Sequence, residues 1–139
     1  MISERLRRNF WLTFICATLS ILLVACDVHH EKLIGPYFLG DIDVVEQMSV
    51  FYDLGDGSGI GRIGPTVFSV GWNDRYIVAK EHPNGDKGIT SFCYLEIARD
   101  SKYADPKQSV TGPLTEVEFL EKQKALNLPQ FTRTIKSLE

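Results

Sequence analysis

The sequence predicts an α+β fold, in which a small antiparallel sheet of about five strands carries one C-terminal helix. Three observations lead to this prediction. Short apolar segments alternate with turn residues from Tyr37 onward, and a helix start signal lies at Thr115. The sequence between these two points contains no strand–helix–strand pattern. The 114 residues from Cys26 onward suit one small domain. We therefore predict a single globular domain over residues 37–139.

The predicted strands follow one another through short connections, as in an antiparallel sheet. Asn73 and Asp74 tolerate the positive φ of a tight hairpin turn, and Asn84-Gly85 marks the next turn. These two turns predict a three-stranded meander as the core of the sheet. Residues 55–65 and 99–112 are predicted loops. The predicted strands cover residues 37–43, 49–54, 66–72, 75–82 and 89–98.

The C-terminal helix has recognisable ends. Thr115 is the expected N-cap, and Glu118 three residues later completes a capping box. Asn127 marks the end of the helix. Its apolar side chains, which are expected to dock one side of the helix onto the sheet, are Val117, Phe119, Leu120, Leu126 and Leu128.

Leu23-Val24-Ala25-Cys26 closes an uncharged apolar stretch of 16 residues, 10–25, that follows an arginine cluster. The stretch is shorter than the roughly 20 residues of a membrane span. Its layout resembles the lipobox of bacterial lipoproteins. The resemblance implies a signal peptide over residues 1–25 and a lipid on the Cys26 thiol. Charges, two histidines and a Gly-Pro break without periodicity predict a tether over residues 26–36. An uncleaved anchor helix and an ordinary secretory signal are the alternatives.

Asp27 directly follows the cysteine. In lipoproteins of bacteria with two membranes, an aspartate in this position is similar to an inner-membrane retention signal. The resemblance implies that the lipid-anchored domain faces the periplasm from the inner membrane of such a cell. In a bacterium with one membrane, the protein would sit on the cell surface.

Net charge and cysteine content limit the classes of partner and the disulfides that are expected for the protein. Removing residues 1–25 leaves 12 basic and 17 acidic residues, a net charge of −5. This balance offers no basic patch for nucleic acid, so we expect a protein partner and a membrane contact through the lipid on Cys26. Cys16 leaves with the signal peptide and Cys26 would be lipidated, so Cys93 has no partner for an intramolecular disulfide. We expect Cys93 to behave as a small buried hydrophobe.

Three motifs that suggest a cofactor or metal have simpler interpretations. Residues 59–64 match G-x-G-x-x-G, but Pro65 and a strand-like run follow where a dinucleotide site needs a helix. Residues 53–59 place glycine where a calcium loop needs ligands. His29-His30 lie on the predicted tether, where no neighbour orients them. We therefore expect no cofactor and no metal.

Asp41 and Asp43 are the candidate catalytic residues. Two apart on a strand, they would project from one face about 6–7 Å apart. Paired carboxylates can hydrolyse glycosides, although a solvent-facing sheet edge explains the two aspartates as well. The motifs Gly-x-Ser-x-Gly, Cys-x-x-Cys and His-Glu-x-x-His are missing from the sequence. An enzyme is therefore not the expected function.

The predicted hairpin tip is the candidate partner-binding surface. Trp72, Asp74, Arg75 and Tyr76 include the residue types that dominate interface hot spots. The alternative is that Trp72 and Tyr76 are buried in the core. Residues 71–80 resemble a set of small uncharacterised bacterial lipoproteins and exported proteins, which implies family membership but no activity.

Together these features predict a membrane-anchored envelope lipoprotein that acts as a protein-binding or protective module. Immunity proteins and lysozyme inhibitors are envelope proteins of this size, although the disulfide common in the inhibitors cannot form here. An envelope hydrolase using Asp41 and Asp43 is one alternative. A passive structural or assembly lipoprotein is the other.

Overall fold

The computed structural model describes residues 29–139, in which nine strands form two antiparallel sheets. The first sheet has the strand order β1-β2-β3-β4 and the second β8-β7-β6-β5-β9. The strands are β1 His30–Lys32, β2 Tyr37–Gly40, β3 Ser49–Asp53, β4 Gly59–Ile63, β5 Val67–Trp72, β6 Tyr76–Glu81, β7 Ser91–Glu96, β8 Val110–Leu114 and β9 Arg133–Thr134. The α-helices are α1 Pro106–Ser109 and α2 Glu116–Leu126. Short 3₁₀ turns lie at Val45–Gln47, Pro83–Gly85 and Ile97–Arg99.

The predicted meander is present as β5, β6 and β7, which pair in sequence order. Asn84 and Gly85 both adopt positive φ between β6 and β7, as their dipeptide predicts. The prediction of a sheet of about five strands is roughly right, since the meander lies in a five-stranded sheet, but the early strands form a separate four-stranded sheet instead of extending it. The coarse picture of antiparallel strands with one longer helix is confirmed.

The main hydrophobic core lies between the two sheets. Alternate residues of each strand point into it: Tyr37 and Leu39 from β2, and Ile77 and Ala79 from β6. Val50, from β3, is fully buried in the same cluster. This period-two pattern places one face of each sheet against the other, which is the usual arrangement of two antiparallel sheets.

A second apolar cluster forms on the outer face of the second sheet. Tyr76 and Val78 alternate with the residues of the main core, and Phe92 lies beside them on β7. Phe119 of α2 packs onto this face with its ring 5.2 Å from that of Phe92. Helix α2 therefore packs on the second sheet, as predicted, and forms a third layer of the fold.

Both predicted ends of α2 are confirmed. The Thr115 side chain accepts from the Glu118 N–H, and the Glu118 carboxylate accepts from the Thr115 N–H. Asn127 ends the helix in the left-handed conformation, with φ of 55°. The capping box thus begins the helix where the sequence indicates.

The predicted docking face of α2 is wrong in part. Phe119 is buried and Leu126 half-buried, whereas Val117 and Leu120 are 68% and 53% exposed. At 100° per residue, Phe119, Gln123 and Leu126 share one stripe. Val117 and Leu120 lie more than a quarter turn away from Phe119, the buried residue of this stripe, and they face solvent.

Three segments predicted to lack regular structure contain strands. The tether prediction for residues 26–36 fails at β1, which pairs with β2 and is followed by buried Leu33. The loop over residues 99–112 contains α1 and begins β8. The glycine loop contains β4, in which Gly59 leaves room for an aromatic ring: a Cβ there would meet Phe38 Cζ at 2.8 Å. Pairing with the neighbouring strands β2, β7 and β3, respectively, made strands of these segments although none of them has an alternating apolar pattern.

The C-terminal segment crosses closely over β5. Ser69 and Val70 pair with β9, and a Cβ on Gly71 would meet the carbonyl oxygen of Gln130 at 1.8 Å. Only glycine leaves space for the backbone at this crossing. The crossing brings β9 beside β1, the edge strand of the other sheet, where Arg133 pairs with Glu31.

Candidate functional site

A cavity of about 300 Å³ lies where β1 of the first sheet comes close to β9 of the second. Two histidines, an ion pair and three apolar side chains surround it. The lining residues are His29, His30, Glu31, Leu39, Met48, Arg133 and Ile135. We call this cavity the N-terminal pocket.

His29 and Asp41 form an oriented pair at this pocket. The His29 Nδ1 atom lies 2.9 Å from Oδ2 of Asp41, and the Asp41 N–H donates to the His29 carbonyl at 3.3 Å. The Asp41 side chain is 4% exposed and that of His29 57%. A carboxylate on Nδ1 fixes the orientation and tautomer of an imidazole. The prediction that nothing orients His29 was therefore wrong.

The two candidate catalytic aspartates do not share a strand face. Strand β2 ends at Gly40, so Asp41 and Asp43 both follow it. Asp41 is buried against His29, whereas Asp43 is exposed. The predicted extension of the strand to residue 43 was wrong because its pairing with β1 and β3 ends at Gly40.

The other metal-type motifs have structural partners. Within residues 29–139, no three His, Cys, Asp or Glu side chains are grouped so as to hold a metal ion. His30 packs against the Phe38 ring, with 4.0 Å between the ring centroids. Asp53 and Asp56 accept hydrogen bonds from the backbone N–H two residues further on, which closes the glycine-rich turn.

The hairpin tip between β5 and β6 buries most of its aromatic surface. Tyr76 is 4% exposed, and Trp72 is half-buried against the main core. The Asn73 Oδ1 atom accepts from the N–H groups of Arg75 and Tyr76 at 2.9 and 2.8 Å. This side-chain cap closes the turn without the predicted positive φ at Asn73 and Asp74. Of the four candidate residues, Asp74 and Arg75 are exposed.

A second cavity, of about 540 Å³, lies beside the start of α2. Its lining mixes charges of both signs with hydroxyls and aromatic rings. The lining residues are Phe68, Lys80, His82, Lys87, Thr90, Phe92, Thr115, Glu116 and Glu139. We call it the helix cleft.

His82 is the buried polar residue of the helix cleft. It is 4% exposed, stacks on the Phe68 ring at 4.3 Å, and its Nδ1 atom lies 2.8 Å from the Ile89 carbonyl. Because a carbonyl only accepts, Nδ1 carries the proton of this hydrogen bond. This hydrogen bond spans the turn between β6 and β7. Its Nε2 atom has no hydrogen-bond partner within the described part of the chain.

A buried polar network joins the first sheet to the segment after β7. Arg62 Nε donates to Asp100 Oδ2 at 2.7 Å, and both side chains are fully buried. Asp100 also accepts from the Tyr37 hydroxyl at 2.8 Å and from Ser109 Oγ at 3.2 Å. Arg62 Nη2 donates to the Ser101 carbonyl at 2.8 Å. The sequence analysis missed this network, because no local pattern links residues 38 positions apart.

The fold raises the pKa of two side chains, Tyr37 and Cys93, that line neither cavity. Burial and the hydrogen bond to Asp100 raise the pKa of Tyr37 well above its usual value. Burial raises the pKa of the Cys93 thiol well above its usual range. Cys93 is 2% exposed, with Sγ 3.7 Å from the Ala79 carbonyl. The prediction that Cys93 is a small buried residue is therefore confirmed, and its protonated thiol is a poor nucleophile.

The predicted lipidation site Cys26, the sorting residue Asp27 and the signal peptide over residues 1–25 lie outside the described residues. Within residues 29–139, no helix has the length and apolarity that a membrane span requires.

Comparison with known proteins gives one match. No curated protein matches the chain, and no solved structure matches it. A family model described as "Protein of unknown function (DUF3997)" matches residues 37–135. The matched span begins at β2 and ends just after β9, so it contains eight of the nine described strands and both α-helices. The chain belongs to the DUF3997 family of proteins of unknown function.

Proposed function

We propose that the protein is a lipid-anchored lipoprotein of the bacterial envelope whose domain binds another protein in a protective or inhibitory role. The lipobox at Leu23-Val24-Ala25-Cys26 carries this proposal. Cys26 precedes β1 by four residues. Cleavage before Cys26 would therefore remove no residue of the described sheets.

The hydrogen bonds that hold the buried carboxylates favour binding over catalysis as the function of the domain. Asp41 is held by His29, and Asp100 is held by Arg62 and Tyr37. In contrast, exposed apolar side chains lie on α2. Val117 and Leu120 are the two large apolar residues of a described helix or strand that are more than half exposed. They lie one turn apart on the same side of the helix, which is typical of a contact surface.

The anchor is tested by Cys26→Ser in cells labelled with radioactive palmitate. We expect the substitution to abolish incorporation, because the acylated thiol is lost. Cys16→Ser and Cys93→Ser are matched controls that should keep the label, since the first lies in the predicted signal peptide and the second is buried. Unchanged labelling of Cys26→Ser would rule out Cys26 as the acylated residue.

The membrane assignment is tested separately by Asp27→Ser. In a bacterium with two membranes, we propose that the protein faces the periplasm from the inner membrane. The substitution should then move a large share of the protein to the outer-membrane fraction of a sucrose gradient. Wild-type protein already in that fraction would contradict retention by Asp27 and leave the lipid anchor standing.

The protein partner is tested by photo-crosslinking in intact cells. A photoreactive amino acid at position 117 or 120 should give an adduct of discrete mass. Positions 74 and 75 test the hairpin tip in the same way, and position 103, where Tyr103 is 80% exposed, is the control. Adducts from 74 or 75 alone would move the binding surface to the hairpin tip. Failure at all four test positions in acylated protein would contradict partner binding through either surface.

A further inference from the structure

The connection between β2 and the following 3₁₀ turn exposes two large apolar side chains. Ile42 is 65% exposed and Val44 is 51% exposed. We call residues 41–44 the apolar loop. The loop rests on a folded base, since Val45 packs against the main core and the Gln47 N–H donates to the Val44 carbonyl at 2.9 Å. The exposure of Ile42 and Val44 is therefore built into the fold.

The apolar loop begins beside the start of the described chain. Gly40 pairs with His30, and the Asp41 backbone and side chain both bond to His29. Ile42 therefore directly follows a residue that is in contact with His29. The loop and the N-terminal strand share one end of the first sheet.

Chain geometry limits how far this end can be from a lipid on Cys26. Three Cα–Cα steps separate Cys26 from His29. A fully extended chain spans at most about 3.6 Å per step, so the two residues lie within about 11 Å of each other whatever their conformation. One interfacial layer of a bilayer is about 5–8 Å deep, so His29 lies within about two such depths of Cys26.

Resting on the lipid anchor of the proposed function, we propose that Ile42 and Val44 contact the interfacial layer of the membrane that holds Cys26. The lipid alone is a single attachment point about which the domain can turn. The apolar loop is a second attachment point, and the two together hold the first sheet in one orientation to the membrane. The driving force is the removal of exposed aliphatic surface from water.

The charges around the apolar loop limit the depth of this contact. Asp43 and Glu46 are exposed on the same connection, while His30 and Lys32 are exposed on the neighbouring strand. A carboxylate between the two apolar residues cannot enter the hydrocarbon without a large penalty. The contact is therefore shallow, at the level of the lipid head groups, where amphipathic segments of peripheral proteins lie.

The test uses purified acylated protein in vesicles of phosphatidylethanolamine and phosphatidylglycerol. Single cysteines replace Ile42, Val44 or, as the matched control, Val117, in a Cys93→Ser background, and each carries an environment-sensitive fluorophore. Acylation leaves Cys26 without a reactive thiol. Val117 is similarly apolar and 68% exposed, but it lies on α2, on the outer face of the second sheet. A nitroxide near the head group of a labelled phospholipid should quench the fluorophore at 42 and 44 at least three-fold more than at 117.

Flotation of the vesicles distinguishes failure of the membrane contact from failure of the lipid anchor. Protein that floats, with equal quenching at all three positions, overturns the membrane contact and keeps the anchor. Protein that does not float overturns the anchor and, with it, the contact. Stronger quenching at 42 and 44 in floated protein supports the contact over occupation of the apolar loop by a protein or a second copy of the chain.

Discussion

Two ion pairs join the sheets at opposite edges of the first sheet, and their environments differ sharply. On β4, Arg62 Nε lies 2.7 Å from Asp100 and both side chains are fully buried. On β1, Glu31 lies 2.9 Å from Arg133 Nε, with the two side chains 42% and 44% exposed. The nitrogen–oxygen distances are nearly equal. Burial therefore decides how much each pair matters to stability.

The buried pair is costly to break because each charge has given up its water. Asp100 is compensated by Arg62, Tyr37 and Ser109, so losing one partner leaves charge in a medium of low dielectric. Water solvates the exposed pair whether or not it forms, and salt screens it. The two edges of the first sheet thus differ in how much stability depends on their ion pair: breaking the pair at β4 costs much and breaking the pair at β1 costs little.

Removing the buried carboxylate should have the largest effect. Asp100→Ala leaves Arg62 buried without its partner, and we expect a loss of about 3–5 kcal/mol in the free energy of unfolding. Urea denaturation measures it, with Asp74→Ala on the exposed hairpin tip as a control expected within about 0.5 kcal/mol.

The double substitution Arg62→Met with Asp100→Leu sharpens the test. Replacing a buried pair by apolar residues of similar size often restores stability, so the double variant should recover part of the loss. The recovery is incomplete because the Tyr37 hydroxyl and the Ser101 carbonyl lose their hydrogen-bond partners. A loss of less than 1 kcal/mol for Asp100→Ala would show that water reaches the β4 edge and would remove the contrast.

Tyr37→Phe should have an intermediate effect. It deletes one hydrogen bond to the Asp100 carboxylate but leaves Arg62 in place, and we expect a loss of about 1.5–3 kcal/mol. The advantage of the wild-type protein over this variant should be constant below about pH 10, the usual pKa of tyrosine, and shrink at higher pH. The reason is that the fold raises the pKa of Tyr37, so the unfolded chain loses that proton first. Urea unfolding at pH 9 and pH 11 measures the change; a constant difference would contradict it.

Breaking the exposed pair should have the smallest effect. Glu31→Gln is expected to lower the free energy of unfolding by less than about 1 kcal/mol, and the difference should vanish in about 1 M salt. Thermal unfolding at low and high salt measures it. A loss above 2 kcal/mol that persists in high salt would show that the ion pair at β1 contributes to stability as a buried pair does.

Elements with turn residues and an alternating apolar pattern of their own were predicted, and strands that lack such a pattern were not. The meander from β5 to β7 has turn residues and alternating apolar residues within its own sequence, and the capping box at Thr115 lies within four residues. Strand β4 contains two glycines, and its sequence is typical of a loop. It is a strand because β3 pairs with it and the Phe38 ring covers Gly59.

The candidate site shows the same division. The exposure of Asp74 and Arg75 follows from their place in a turn, whereas the burial of Tyr76 depends on the cluster that α2 covers. Asp41 and Asp43 appear equivalent in sequence, but only Asp41 contacts His29. The exposure of Ile42 and Val44 beside the chain's first described residue was not predictable from the pattern, because apolar residues in a short connection are more often buried.

The sequence by itself determined the antiparallel meander, the start and end of α2 and the lipobox-like segment from which the anchor is proposed. Each of these depends on residues close together in the chain. The tertiary structure alone decided that the strands divide into two sheets, that Arg62 meets Asp100, and that Val117 and Leu120 face solvent. These features depend on which surfaces meet after folding, and the free energy of burying a side chain or pairing a charge is set by its partners in space.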